Sequence, residues 1–177
     1  MDKHRGAKRV KSLEVEPREN GVAFMLRLDD TSHSPQGDEL IHSLGLEGEL
    51  SLPELEIKSI KAHAYKHPYP ECAASLAPVQ QLVGTRIGPG FRDAVVKAMG
   101  RTRGCTHFLS LALDLAAAHT LSVFLQMRSR APFAARNDGE DVWMRAGLEI
   151  EPRLENACIA LRTESPVIQR ARAARKS

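Results

Sequence analysis

At 177 residues, 42% hydrophobic and 27% charged, the chain has the size and composition of one soluble globular domain with a core that needs no metal or disulfide staples. Three widely spaced cysteines exclude a disulfide framework and fit a reducing compartment, while the net charge of +3 conceals basic ends on an acidic middle. No apolar run reaches the roughly 18 residues free of polar breaks that a membrane span needs, and no apolar segment follows the basic N-terminus as in a secretory signal. A cytoplasmic protein without membrane contact is therefore expected.

In chain order, residues 1–11 carry Lys3, Arg5, Lys8, Arg9 and Lys11 against Asp2 and read as a solvated basic arm. The domain proper is expected over 12–165. SLEVEP (12–17) alternates as a strand, Asn20-Gly21 is a hairpin signal, and Val22, Phe24, Leu26 and Leu28 share one face of the next strand. The polar stretch 29–39 reads as a loop. A second hairpin follows, with strands 39–50 and 54–66 turned near Leu52-Pro53. In its last strand Leu55 and Ile57 are apolar at odd positions, but Ile60, Ala62 and Ala64 at even ones. A β-bulge near Lys58-Ser59 reconciles the two halves. It would put His63 and Tyr65 opposite the small apolar residues, and Pro68 and Pro70 end the strand.

The second half reads as helices: a short one over 71–84 limited by Pro78, one over 90–100, and a long, nearly all-apolar one over 105–127 that should be central and buried. Residues 131–141 read as a loop, Ala157 to Leu161 as buried, and the basic segment 166–177 as a helix. Strands first and helices afterwards predict an α+β fold, with an antiparallel sheet of about four strands packed on three or more helices.

The strongest site signal is RTRGCTH, 101–107. Its glycines permit close approach, and Cys105, Thr106 and His107 open the long helix, where free N–H groups and the dipole favour a carboxylate, a phosphate or a thiolate. Arg101 and Arg103 add positive charge, as does Arg86. His107 and Asp114 lie two helical turns apart on one face, whereas His119 points away and reads as structural. The stretch KAHAYKHPYPEC (61–72) supplies candidate partners: His63 and His67 as proton carriers, Tyr65 and Tyr69 as donors or acids. Packing on an outer strand face serves equally for His63 and Tyr65. The proline-flanked backbone of His67 and Tyr69 fixes side-chain direction at little entropic cost.

Cys72, Cys105, His107 and Cys158 form the alternative, a zinc or iron–sulfur set, although no CxxC pair supports it. Walker, dinucleotide-binding and GxSxG motifs are missing, so no nucleotide cofactor is expected. The basic ends can touch phosphates, but no groove-reading motif accompanies them, and nucleic acid is not an expected partner.

HPYPEC, LVGTRIGPGFRDAVVKAMG, RGCTHFLSL and ENACIAL together resemble a bacterial family known as domain of unknown function 2889, over about residues 9–172. The motif residues are Tyr69 and Cys72; Gly84, Ile87, Gly90 and Phe91; and Gly104 to His107. The sequence departs from the family pattern where a Gly-Gly is expected before the turn and Leu after His107. This resemblance implies no activity. A looser likeness in element order is to iron–sulfur scaffold proteins of the IscU/NifU type, which place three cysteines around one site; Cys72, Cys105 and Cys158 echo that arrangement.

The expected function is a small-molecule enzyme of lyase or decarboxylase type with no cofactor. An acid substrate, aromatic ones included, is held by Arg86, Arg101, Arg103, Thr106 and Tyr65, and His67, Tyr69, His107 and Cys105 do the chemistry. A metal-binding accessory protein or a non-catalytic assembly module are the alternatives, and a homo-oligomer is left open. All of this presumes that the 67–72 segment and the 104–107 helix entry border one hollow.

Overall fold

The computed structural model describes residues 5–131 and 141–173. The fold is α+β. Four antiparallel strands, β1 (Gly6–Arg18), β2 (Gly21–Ser34), β3 (Gly37–Ser51) and β4 (Ile57–Lys66), form one sheet in sequence order. Helices α1 (Phe91–Met99), α2 (Thr106–Asp114), α3 (Ala116–Arg130), α4 (Val142–Ile150) and α5 (Pro166–Ala173) follow. The residues group into two compact units, 1–119 and 120–177.

In the first unit, alternation decides the sheet's faces. Val22, Phe24, Leu26 and Leu28 of β2 are buried and stand opposite Leu50, Gly48, Leu46 and Leu44 of β3. Ala62 and Ala64 of β4 continue the same face. Phe91, Val95 and Met99 of α1 and Phe108, Leu111 and Ala112 of α2 close the core over it.

Three register shifts shape this sheet. Leu50 pairs with Ile57 and Glu49 with Ser59, so Lys58 is the extra residue, at the position the apolar parity predicts. Tyr65 is a second extra residue on β4, between Ala64, paired with Leu44, and Lys66, paired with Ser43. Ile41 is a third, on β3 beside His42. Each bulge adds local twist and re-aims the side chains beyond it.

The polar stretch read as a loop is instead strand. β2 runs on to Ser34, β3 starts at Gly37, and Pro35-Gln36 makes the turn. Likewise, the arm is paired strand from Gly6 onward, where Arg9 faces Asp30 and Lys11 reaches Asp114 at 2.5 Å. Pairing with β2 removes the fraying that charge alone suggests.

Pro78 does not kink an α-helix: 70–75 and 77–82 are 3-10 turns, each opened by a proline in its first two positions. The expected long helix is present over Thr106–Arg130, with Leu115 as a single turn residue between α2 and α3. By length and composition Thr106–Arg130 does meet the requirement for a membrane span, because averaging outweighs its polar interruptions. Within the first unit, however, Phe108, Leu111, Ala112, Leu115 and Ala118 are core residues.

In the second unit Met127 packs near Gly147, while Ala146, Ile168 and Ala171 are buried. Asp141 caps α4 by accepting the Met144 N–H at 2.9 Å. Residues 157–160 are exposed, Ile159 at 79%, which corrects the expectation of burial there. A tight 3-10 turn at Ile159–Leu161 presents them outward. Most of the segment read as a loop, 132–140, lies outside the described residues, as does 174–177.

Candidate active site

One hollow of about 730 Å3 is bordered by both segments that carry the site signals. From the first come His67, Tyr69 and Cys72. From the second come Arg103, Cys105, Thr106 and His107. Leu44, Ala64, Pro68 and Phe108 make its apolar wall.

Local backbone explains the convergence. The bulge at Tyr65 lets Lys66 stand on the outer face with Ser43, so the next residue, His67, comes round to the side of Leu44 and Ala64. His67 donates from Nδ1 to the carbonyl oxygen of Tyr69 at 2.7 Å, which leaves Nε2 as its basic nitrogen. The Tyr69 side chain is exposed at the rim. On the helix side, Gly104 passes close over α1; a Cβ there would lie 2.9 Å from the Met99 Cα. Cys105 is the N-cap of α2, its Sγ accepting the His107 N–H at 3.4 Å.

At the polar end of the hollow the side chains form a connected chain. Cys105 Sγ lies 3.2 Å from His107 Nδ1, and His107 Nε2 lies 3.3 Å from Asp30 Oδ2. His42 Nδ1 bonds the same Asp30 oxygen at 3.1 Å, and the two imidazole rings sit 4.1 Å apart at a tilt of 36°. Arg9 holds Asp30 with a two-pronged fork, Nε to Oδ1 at 2.6 Å and Nη2 to Oδ2 at 2.8 Å. An ionised carboxylate only accepts, so the nitrogens facing Asp30 carry protons. A neutral His107 then has Nδ1 bare, and Cys105 donates its S–H to it.

The charges agree with this assignment. Asp30 is held below the usual carboxylate range, first by its hydrogen bond from Arg9 and further by the charges of Arg9, His107 and His42. His107 is pushed below its ordinary value, chiefly by burial, then by the nearby charges of His42 and Arg9, against an opposing pull from Asp30. Its ring is therefore neutral at physiological pH.

Several predicted residues stand elsewhere. Tyr65 packs on the sheet's outer face, its ring stacked on His63 at 5.5 Å, with Arg27 over it at 4.5 Å. Gly45 makes room for it: a Cβ there would meet the Tyr65 ring at 3.1 Å. Arg86 lies in the loop that pairs with Glu56 at the start of β4, outside the hollow. Arg101, exposed and with φ of 58°, does not line it either. Arg103 lines it but spends Nε and Nη2 on the carbonyls of Lys97 and Val96 at the end of α1. Its role there is to cap that helix. Of the expected anion anchors, the start of α2 with Thr106 remains.

Of the expected metal set, Cys105 and His107 are in contact and Cys72 borders the same hollow. Cys158 is exposed in the second unit. Among the described residues, the side chains near enough to share an ion are Asp30, His42 and His107, with their donor atoms within 4.8 Å of one another. Because both Asp30 oxygens already accept from Arg9, an added dication would face a guanidinium across a single shared carboxylate. That charge balance suits a self-contained hydrogen-bonded network better than a cation site.

Asp30, His42 and Arg9 were missed in the sequence reading. His42 was legible as the next member of the series His42, Leu44, Leu46, and Asp30 as the next after Leu26 and Leu28. Asp30 falls in the stretch 29–39 whose polar composition suggested a loop, and His42 in the strand expected over 39–50.

A second depression, of about 490 Å3, is bordered by Glu14, Met25, Glu47, Glu49 and Lys61 on the strands. Of its charged chain ends, Arg18 is paired with Glu16 at 3.2 Å and Lys61 with Glu47 at 3.9 Å, and among the described residues no histidine or cysteine lines it.

A family model described as "Protein of unknown function (DUF2889)" matches residues 7–121, a span that includes Arg9, Asp30, His42, Cys105 and His107. No curated protein and no solved structure matches the chain.

Proposed function

The chain belongs to the DUF2889 family of proteins of unknown function, and we propose that it is a small-molecule enzyme whose chemistry takes place in the hollow between residues 67–72 and 104–107. The observation that carries this reading is His107 placed between Asp30 and Cys105 at the polar end of an otherwise apolar cavity, where burial chiefly pushes its pKa down. A base whose pKa lies below neutrality, oriented by a carboxylate and bordering a concavity, has the properties that proton abstraction requires. His107 is the proton acceptor. Tyr69, on another part of the wall, supplies the acid, and the bare Nε2 of His67 is a second proton acceptor.

The substrate is a small organic acid with an apolar body. Its carboxylate meets the first turn of α2, where the Thr106 N–H has no intrahelical acceptor. The reaction is of lyase or decarboxylase type, moving protons without a nucleotide. The cytoplasm is the proposed setting, in keeping with three free cysteines.

The test is incubation of the full chain in deuterated buffer with a panel of aromatic and aliphatic 2-oxo and 3-hydroxy acids, followed by NMR. Deuterium uptake or bond cleavage in at least one panel member, abolished by His107→Gln, is expected. A His107→Gln protein that matches the wild type on every responsive acid would reject the base assignment.

A further inference from the structure

The pairing of Cys105 with His107 goes beyond proton transfer. We infer that Cys105 is a covalent nucleophile toward activated acyl groups, namely esters or thioesters of a small organic acid, with His107 as its base and Asp30 as the group that orients the base. This inference rests on the hollow being the active site, as proposed above, and adds a reaction class that proton movement alone does not require.

Three observations converge on it. Cys105 Sγ and His107 Nδ1 are 3.2 Å apart and hydrogen-bonded, which is the separation a nucleophile and its base need. The far nitrogen of the same ring lies 3.3 Å from a carboxylate that is itself locked by the Arg9 fork and by His42, so the imidazole has a fixed direction. Finally, Cys105, Thr106 and His107 all border the 730 Å3 hollow, so an acyl carbon has room to reach the sulfur. Among the described residues, no hydrogen bond joins Cys72 or Cys158 to a histidine. Cys72 borders the same hollow, while Cys158 is exposed.

The step balances without an oxidant or reductant. The sulfur forms a bond to the acyl carbon, its proton passes to His107 Nδ1, and the alcohol or thiol of the substrate leaves with that proton. The transient oxyanion is met by the unshared N–H at the start of α2. Water then adds to the thioester while His107 takes its proton, the carbon–sulfur bond breaks, and the sulfur recovers the proton. The products are a carboxylic acid and an alcohol or thiol.

The probe is p-nitrophenyl acetate with the full-length chain, read as nitrophenolate release together with peptide mapping of acetylated cysteines. Acetylation of Cys105 should exceed that of Cys158 by at least about tenfold, within the range that a positioned general base supplies, although Cys158 is the more exposed thiol. In His107→Gln that preference should vanish. A Cys158 that reacts as fast as Cys105 in the wild type, or an undiminished Cys105 rate in His107→Gln, overturns the inference. Cys105→Ser separates the two readings. If it keeps deuterium exchange on the responsive acid while Cys105 shows no acetylation preference, the nucleophile fails and the base stands. If exchange is insensitive to His107 while acetylation of Cys105 needs it, the base reading fails and the nucleophile stands.

Discussion

Replacing Asp30 by Asn keeps the shape of the side chain and removes its charge. The structure gives the consequences for stability and for function separately. Asp30 accepts the fork from Arg9 at 2.6 and 2.8 Å and one bond from His42 at 3.1 Å. A hydrogen bond to a charged group contributes roughly 1.5–3 kcal/mol, but the Arg9 side chain is 45% exposed, so water replaces much of what it loses. The amide oxygen also still accepts one prong. A net loss of about 1–2 kcal/mol follows, or a fall of about 2–8 °C in Tm for a chain of this length. Function should suffer far more. An imidazole that loses its orienting carboxylate costs about 100-fold or more in rate. The paired assays are thermal unfolding and deuterium exchange on the responsive acid. A small Tm shift with a large rate loss is expected. A rate that falls only in proportion to the folded fraction would refute the positioning role of Asp30.

Other outcomes follow from the same geometry. Because burial first, and then the charges of His42 and Arg9, depress the pKa of His107, activity that needs the bare ring should persist below pH 6.5, and His42→Gln should move the acid limb of the pH–rate profile upward; an unmoved limb would contradict this. Linkage runs the same way. A histidine with a depressed folded pKa holds fewer protons than the unfolded chain just below 6.5, so its contribution to stability should decline as pH falls through that window, as urea unfolding at successive pH values would show. Gly104→Ala places a Cβ 2.9 Å from the Met99 Cα; the backbone must shift, at a cost of about 1–3 kcal/mol, and the Cys105 acetylation preference should drop with Tm. Leu46→Ala, at a fully buried sheet position, should cost about 2–5 kcal/mol in equilibrium unfolding without changing the pH limb of the remaining folded protein. Elemental analysis of freshly purified protein should find no stoichiometric zinc or iron; a full equivalent lost in His42→Ala would replace the network by a metal centre.

Much of the sheet was legible because period-two alternation is strong wherever one face is buried. Val22 to Leu28 set one face of β2, and the parity change between Ile57 and Ile60 located the bulge at Lys58. The strand ends were not legible. Between Asp29 and Glu39 the polar residues mimic a loop, and only pairing with β1 and β3 makes them strand.

The same gap hid Asp30. Cys105 and His107 announce themselves through a glycine-bounded helix start, but Asp30 comes from a polar strand end, His42 from an expected strand whose apolar neighbours carry no sign of chemistry, and Arg9 from a segment whose charge suggests solvent. Arginines near the site were read as anchors because sequence shows their number and not their partners. Arg103 turns out to cap α1, and Arg86 to pair with Glu56. Tyr65 and His67, two residues apart, are separated by the extra residue that Tyr65 itself contributes to β4.

Nitrogen-15 NMR of the His107 ring across pH, on the wild-type chain, bears most directly on whether this imidazole is a neutral base with its proton on the Asp30 side. A single protonated Nε2, a bare Nδ1 and a midpoint below 6.5 are the expected result. A ring doubly protonated above pH 6.5, or one with its proton on Nδ1, would contradict it.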